Sequence, residues 1–151
     1  MWGEKMEKIR SQAVILLKCN ILIAKHFNYI NKEEFWLLPG GRVEDNESPE
    51  EGIIREIKEE TNLDVEIKEI LFDSKSDGRD TYNRYVTYIC KVKDYSNLKV
   101  GFETNTNKKI IDLVWVSITN EDTWNNYLYS NKFYPSMKNI KDKLIKLGYI
   151  E

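Results

Sequence analysis

Three glutamates, Glu56, Glu59 and Glu60, follow directly on Arg55 in the run Arg55-Glu56-Ile57-Lys58-Glu59-Glu60. If this run is helical, Glu56 and Glu60 stand at i and i+4 and Glu59 lies one place before Glu60. At about 100° per residue all three share one arc. Gathered carboxylates repel, by about a few tenths of a kcal/mol per exposed i,i+4 pair and by more where the arc is partly buried. A hard divalent cation relieves that repulsion. Mg²⁺ takes carboxylate oxygens, keeps several waters and fills the rest of its shell with substrate phosphates. On the helix alone a second reading stands beside this one, because a Glu-rich helix is most often a solvated charged face.

The element that must carry these residues has clear ends. Ser48 is a good N-cap, Pro49 suits the first helical position, and Glu51 completes a Ser-x-x-Glu capping box. Glu50 and Glu51 favour the positive end of the helix dipole. Asn62 suits a left-handed C-terminal cap. The helix is therefore expected at Pro49–Thr61, with Ile53, Ile54 and Ile57 towards the core and Glu60 an exposed acid. Between Glu44 and Glu60 there are eight acids and two bases, a net charge of −6, while the whole chain carries only −2. Arg55 stands four residues from both Glu51 and Glu59 and offsets part of this charge.

The spacing extends upstream. Gly41 is followed after five residues by Glu47, and after seven more by Arg55-Glu56-Ile57-Lys58-Glu59-Glu60-Thr61-Asn62-Leu63. This resembles the Nudix box, and Trp36-Leu37-Leu38-Pro39-Gly40-Gly41-Arg42-Val43-Glu44 is similar to the family's usual entry to it. The box covers 23 residues, about a sixth of the chain. Asn62 stands where the family has Gly, and Asn is the next best residue for a left-handed turn. Gly52 and Ile53 replace small alanines, and a mid-helix Gly costs about 1 kcal/mol against Ala. Asn46 replaces a common Gly. No charged position departs.

The resemblance implies roles. Glu56, Glu59 and Glu60 correspond to carboxylate metal ligands and the Gly40 carbonyl to an additional one, with Mg²⁺ or Mn²⁺ as the ion. Arg55 corresponds to the residue that orients these carboxylates, with Glu47 as its partner. The implied activity is hydrolysis of a nucleoside diphosphate linked to another moiety. The alternative is an inactive Nudix module that binds a nucleotide as a sensor. Bound cations would neutralise phosphate oxygens and acidify a water, so no covalent nucleophile is needed. The general base is one of Glu56, Glu59 or an acid outside the box, for which Glu103, in the loop before the Trp115 strand, is the candidate.

Arg42, Arg79 and Arg84 are candidate phosphate contacts. Tyr82, Tyr85 and Phe35 are candidates to stack on a base, with plain sheet packing the alternative. Substrate subtypes of the family carry markers downstream of the box. The ADP-ribose proline position holds Gly78, the dinucleoside polyphosphate tyrosine positions hold Arg79, Asp80 and Thr81, and the coenzyme A motif is absent. Nucleoside triphosphates, ADP-ribose, nucleotide sugars and dinucleoside polyphosphates all stay open.

Around the box, Ser11–Leu17 and Asn20–Lys25 read as strands, or a hairpin across Lys18 and Cys19, and His26–Glu34 as a polar loop. Phe35–Leu38 is a short strand ended by Pro39-Gly40-Gly41, which implies a sharp turn or a close approach. Val65–Phe72 reads as a strand, Asp73–Asp80 as a loop, Tyr82–Val92 as a strand with period-2 alternation, Leu98–Lys109 as a loop and Ile110–Ile118 as a strand. Asn120–Tyr129 is a candidate short helix. Met137, Ile140, Leu144 and Leu147 mark a helix capped by Ser136 and ended by Gly148. Strands around two or three helices predict an α/β or α+β fold, and the resemblance implies an α/β/α sandwich with a central mixed sheet.

The 151 residues fit one domain, 1–151. Hydrophobic residues at 41% and charged residues at 32% mark a globular chain. A net charge of −2 gives no sign of nucleic-acid binding, and no apolar run can span a bilayer. The N-terminus lacks a signal-peptide core, so a cytoplasmic protein is expected, acting on a small-molecule nucleotide as monomer or homodimer. Cys19 and Cys90 read as two buried thiols. His26 is the only histidine, which excludes a histidine-based multi-ligand metal site.

Overall fold

The computed structural model describes residues 7–76, 81–101, 108–121, 127 and 135–151. Among the described residues, seven strands and two helices follow the order β1 (Ile9–Leu17), β2 (Asn20–Asn28), β3 (Glu34–Leu37), β4 (Gly40–Arg42), α1 (Pro49–Thr61), β5 (Val65–Lys75), β6 (Arg84–Val92), β7 (Lys108–Ser117) and α2 (Met137–Lys146). The main sheet runs β3-β2-β1-β6-β5, with β4 paired to β1 and β7 to β2. β1 and β6 are parallel and the other pairs antiparallel, so the sheet is mixed.

Strand alternation gives the sheet two apolar faces. Ala13 and Ile15 of β1, Leu22 of β2, and Val86, Tyr88 and Cys90 of β6 pack with Ile53 and Ile57 of α1. Val14 and Leu16, Ile21 and Ile23, and Tyr85 and Ile89 pack on the other face with Met137, Ile140 and Leu144 of α2. One helix on each face makes an α/β/α sandwich, the expected class.

Both helix starts follow their capping signals. Ser48 Oγ accepts from Glu51 N–H at 3.1 Å while Ser48 N–H donates to Glu51 Oε1 at 3.0 Å, a complete capping box. Asn62 is left-handed, with φ 62°, and its N–H donates to the Lys58 carbonyl. Ser136 caps α2 through Asn139 N–H at 3.1 Å.

Several expectations are corrected. Ile54 is 45% exposed, and Gly52, Glu60 and Thr61 join Ile53 and Ile57 on the buried face. Ile54 is the one apolar side chain turned out by the 3.6-residue period. His26–Glu34 is not all loop: β2 continues to Asn28 because Phe27 and Asn28 pair with Lys109 and Lys108, and β7 thereby starts at Lys108 rather than Ile110. β5 likewise continues to Lys75 through its pairing with Arg84. Gly40-Gly41 lies in β4, a strand paired with Gln12 and Ser11, so the glycines serve close approach. Cys19 is exposed at the tip of the β1–β2 hairpin, and Cys90 alone is buried, where desolvation pushes its thiol up to about 12. Leu147 lies beyond α2 and is exposed. Most of the Asn120–Tyr129 helix lies outside the described residues. No helix among the described residues is long and apolar enough to cross a membrane.

Candidate active site

Arg55 organises the acidic helix. Its Nε and Nη2 clamp Glu47, at 3.0 Å to Oε2 and 2.7 Å to Oε1. Nη1 reaches Glu56 Oε1 at 3.0 Å and Glu59 Oε2 at 3.2 Å, and Nη2 also donates to the Arg42 carbonyl at 3.0 Å. One guanidinium thus joins three carboxylates and β4. The forked hydrogen bond from Arg55 holds the Glu47 carboxyl below its ordinary value, and the same bond raises the guanidinium. Glu56 moves the other way: burial raises its proton affinity, and Arg55 offsets only part of that.

Two glycines of β4 meet the carboxylates, Gly40 through its N–H and Gly41 by the space it leaves. Glu60, read from the sequence as an exposed acid, is 1% exposed. Its Oε1 accepts from the Gly40 N–H at 2.7 Å. Gly41 faces Glu56, and a Cβ there would fall 2.6 Å from each carboxylate oxygen. Gly52 has a similar reason: a Cβ would lie 3.1 Å from Glu47 Oε1 and 3.3 Å from Val43 Cγ2. The mid-helix glycine lets the Glu47 end of the clamp lie close to α1.

A cavity of about 330 Å³ opens at this point. Glu56, Gly40, Gly41, Arg42, Glu44 and Tyr82 line it, with Arg10, His26, Leu37, Thr81 and Lys108. The structure therefore brings together Glu56, Gly40, Arg42 and Tyr82 from the sequence candidates, with Arg55, Glu47, Glu59 and Glu60 linked to them from α1 and its entry. Phe35 stands behind His26, its ring stacked at 5.4 Å and 8°, with Lys108 Nζ 5.4 Å from its centroid. Tyr85 is buried edge-to-face with Tyr82 at 5.7 Å, a packing role. Arg84 is not brought to the cavity: it clamps Asp73 at 3.0 and 2.9 Å and reaches Glu7 at 3.4 Å. Arg79 and Glu103 lie outside the described residues.

Sequence reasoning passed over Arg10, His26, Thr81 and Lys108. The signal for Arg10 was present, since it extends the β1 alternation one step before Ser11. The sequence pattern puts His26 and Lys108 in loops, and only the pairing of β2 with β7 brings them to the site.

The donor set suits a hard cation, being all oxygen. No three His, Cys, Asp or Glu side chains among the described residues are grouped to hold a metal by themselves. An ion here would draw on one or two carboxylates, a backbone carbonyl, waters and phosphate, which is the habit of Mg²⁺. Arg55 Nη1 now bridges Glu56 and Glu59, so the two carboxylates already share one cationic partner.

A family model for the NUDIX domain matches residues 7–137. A 46-residue stretch is 44% identical to the 8-oxo-dGTP diphosphatase of Proteus vulgaris, covering 30% of this chain and 41% of that protein. A 62-residue stretch is 37% identical to an RNA pyrophosphohydrolase of Zymomonas mobilis, covering 41% of this chain and 39% of that one. The chain thus spans about two-fifths of the length of these curated relatives. Among solved structures, a NUDIX hydrolase from Nitrosomonas europaea superposes with a TM-score of 0.71 at 20% identity, over 97% of this chain and 74% of that one. An ADP-ribose pyrophosphatase from Streptococcus suis gives 0.64 at 19% identity, over 95% and 93%. At these identities the likeness to solved structures is one of fold.

Proposed function

The chain belongs to the Nudix family, and on that premise we propose that it is a divalent-metal-dependent pyrophosphohydrolase acting on a nucleoside diphosphate linked to another moiety. The observation that carries this reading is Glu56 opening on a cavity that is also walled by Arg42 and Lys108. A carboxylate to hold cations beside bases to hold phosphates is what a polyphosphate seat requires. Glu56, Glu59, Glu60 and the Gly40 carbonyl would hold Mg²⁺ or Mn²⁺. When bound, the ions would neutralise phosphate oxygens and acidify a water.

The chain's own residues do the rest. Arg55 keeps Glu56 and Glu59 at one edge of its guanidinium. Glu47 fixes the other edge of that guanidinium and so sets its direction. Arg42 and Lys108 face the cavity as phosphate contacts, and Tyr82 and His26 supply flat walls for the nucleoside end. In the reaction the oxygen of water bonds to one phosphorus and the bridging P–O bond breaks. The bridging oxygen leaves with the electron pair on the departing group. The proton of the attacking water passes to a carboxylate, for which Glu56, Glu59 and Glu103 are the candidates.

The test is turnover by purified protein, with Mg²⁺, Mn²⁺ or excess chelator, on nucleoside triphosphates, ADP-ribose, nucleotide sugars and dinucleoside polyphosphates. Metal-dependent cleavage of at least one, abolished by chelator and cut about 10²-fold or more in Glu59→Gln, is expected. Tight binding of one compound with no turnover of any would establish the sensor module instead.

A further inference from the structure

Of Arg10, Arg42 and Lys108 on the cavity wall, only Arg10 is buried, at 8% exposure. Its side chain is aimed from two sides. Nε donates to Gln12 Oε1 at 3.1 Å, and Gln12 is itself anchored, with Nε2 donating to Thr87 Oγ1 of β6 at 2.9 Å. Nη2 donates to the Leu38 carbonyl at 3.0 Å. Leu38 opens the Leu38-Pro39-Gly40 turn, and β1 grips that turn again where Ala13 N–H donates to the Pro39 carbonyl at 2.9 Å. The next residue, Gly40, donates its N–H to Glu60. Arg10 therefore fixes one end of a three-residue turn whose other end meets the acidic helix.

Its charge also has a direction. Glu56 lines the same cavity and feels the positive charge of Arg55 and also that of Arg10. A guanidinium withdrawn from water is costly unless something answers it, and a neutral side chain of similar shape fills such a space at lower desolvation cost. Packing alone therefore does not call for an arginine between Gln12 and Leu38. A carbonyl to be aimed and a carboxylate to be faced do.

We propose that Arg10 is a positioning residue of this site, holding the Leu38–Gly40 turn and Glu56 in register with each other. It acts through Gly40 and Glu56 and not by contact with substrate. The proposal rests on the hydrolase reading, in which the Gly40 carbonyl and Glu56 serve one ion.

Arg10→Met and Arg10→Lys test it, with two readouts on the full chain. The first is amide exchange followed by NMR on metal-free protein. The Gly40 and Ala13 amides of Arg10→Met should exchange at least about tenfold faster than in the parent, with Ile15 and Val14 unchanged. The second is steady-state hydrolysis. Arg10→Met should lose about tenfold or more in kcat, with KM within about threefold, and Arg10→Lys, which keeps the charge and one donor, should recover part of both effects. Unchanged exchange at Gly40 overturns the proposal whatever the activity. So does a tenfold rise in KM at constant kcat, which would make Arg10 a substrate contact. Tighter Mn²⁺ binding by Arg10→Met with unaltered kcat overturns it too, leaving only through-space repulsion. If Arg10→Met fails to fold, the exchange of Arg10→Lys decides in the same terms. If the parent hydrolyses nothing, the hydrolase reading fails while Gly40 exchange still shows whether Arg10 holds the turn.

Discussion

The Glu56 carboxylate occupies the space in which a side chain on Gly41 would have to lie. A Cβ built on Gly41 would fall 2.6 Å from each of the two carboxylate oxygens. The glycine is there because the acid must come that close to β4, and its backbone conformation is not what demands it. Gly41→Ala should therefore act on chemistry more than on folding. The overlapping atoms are the end of a flexible side chain, which can swing aside at small cost. The melting temperature should fall by only a few degrees, while kcat drops by 10²-fold or so through a misplaced carboxylate. Calorimetry and turnover on the same preparation check the split, and a parallel loss of both would show that the strand itself has moved.

Gly101 makes the opposite case. Its N–H donates to the Glu60 carbonyl at 2.9 Å, next to Lys99 N–H on the Thr61 carbonyl at 3.0 Å and Asn62 Nδ2 on the Asn97 carbonyl at 3.0 Å. This strap satisfies carbonyls left open at the C-terminal end of α1. A Cβ on Gly101 would overlap the Glu59 carbonyl oxygen, a backbone atom that cannot swing away. Gly101→Ala should therefore cost about 1–3 kcal/mol of stability by urea unfolding, and activity should fall with it because Glu59 and Glu60 sit on that turn.

The box, the capping signals and the core strands were readable in the sequence because each is a local pattern. Ser48, Asn62 and Ser136 act within a few residues of where they stand, and Ile53 and Ile57 follow one helical period. The features that escaped reading are set by distant partners. His26 looks like the start of a polar loop until Ile110 pairs with it. Glu60 looks like its half-buried neighbour Glu59 until Gly40, twenty residues earlier, supplies a donor. Arg10 has no chemistry of its own in the sequence, and it gains a role only when β1 pairs with β4. A charged residue at an inward position of an apolar strand was the signal that could have found it.

Glu60 separates two substitutions that the sequence alone would treat alike. Glu60→Gln keeps an oxygen to accept from the Gly40 N–H, so the fold should hold within about 1 kcal/mol while kcat falls 10²-fold or more for want of a charged ligand. Glu60→Ala removes the acceptor and leaves that buried N–H unsatisfied, which costs about 1–3 kcal/mol besides. Equal melting temperatures for the two variants would show that the Gly40 hydrogen bond contributes nothing.

The acid side of the stability profile should carry the mark of Arg84. Its forked bond holds the Asp73 carboxyl below the ordinary value of 3.8. A depressed folded-state value means stability that is present above about 3.8 and lost as pH falls through the folded value. Asp73→Asn should therefore lower stability at pH 7 slightly, by under about 1 kcal/mol for so exposed a pair. It should also flatten the fall in stability below pH 4. Melting curves from pH 2.5 to 7 test both points, and an unchanged acid slope would remove Asp73 from the account.

Glu56 should show the reverse sign. Burial raises its carboxyl above 4.5, with Arg55 opposing. A raised folded-state value means that the ionised form is disfavoured by folding, so the contribution is fully present below 4.5 and lost as pH rises through the folded value. In metal-free protein, Glu56→Gln should relieve that loss, because a neutral amide of the same shape keeps an acceptor for Arg55. At pH 7 its melting temperature should equal or exceed that of the parent, and the difference should vanish below about pH 4. Hydrolysis by the same variant should fall 10²-fold or more, since the carboxylate that costs stability is the one the site requires. A variant that loses both stability and activity at pH 7 would show that the ionised carboxylate stabilises the fold through Arg55 more than its burial costs.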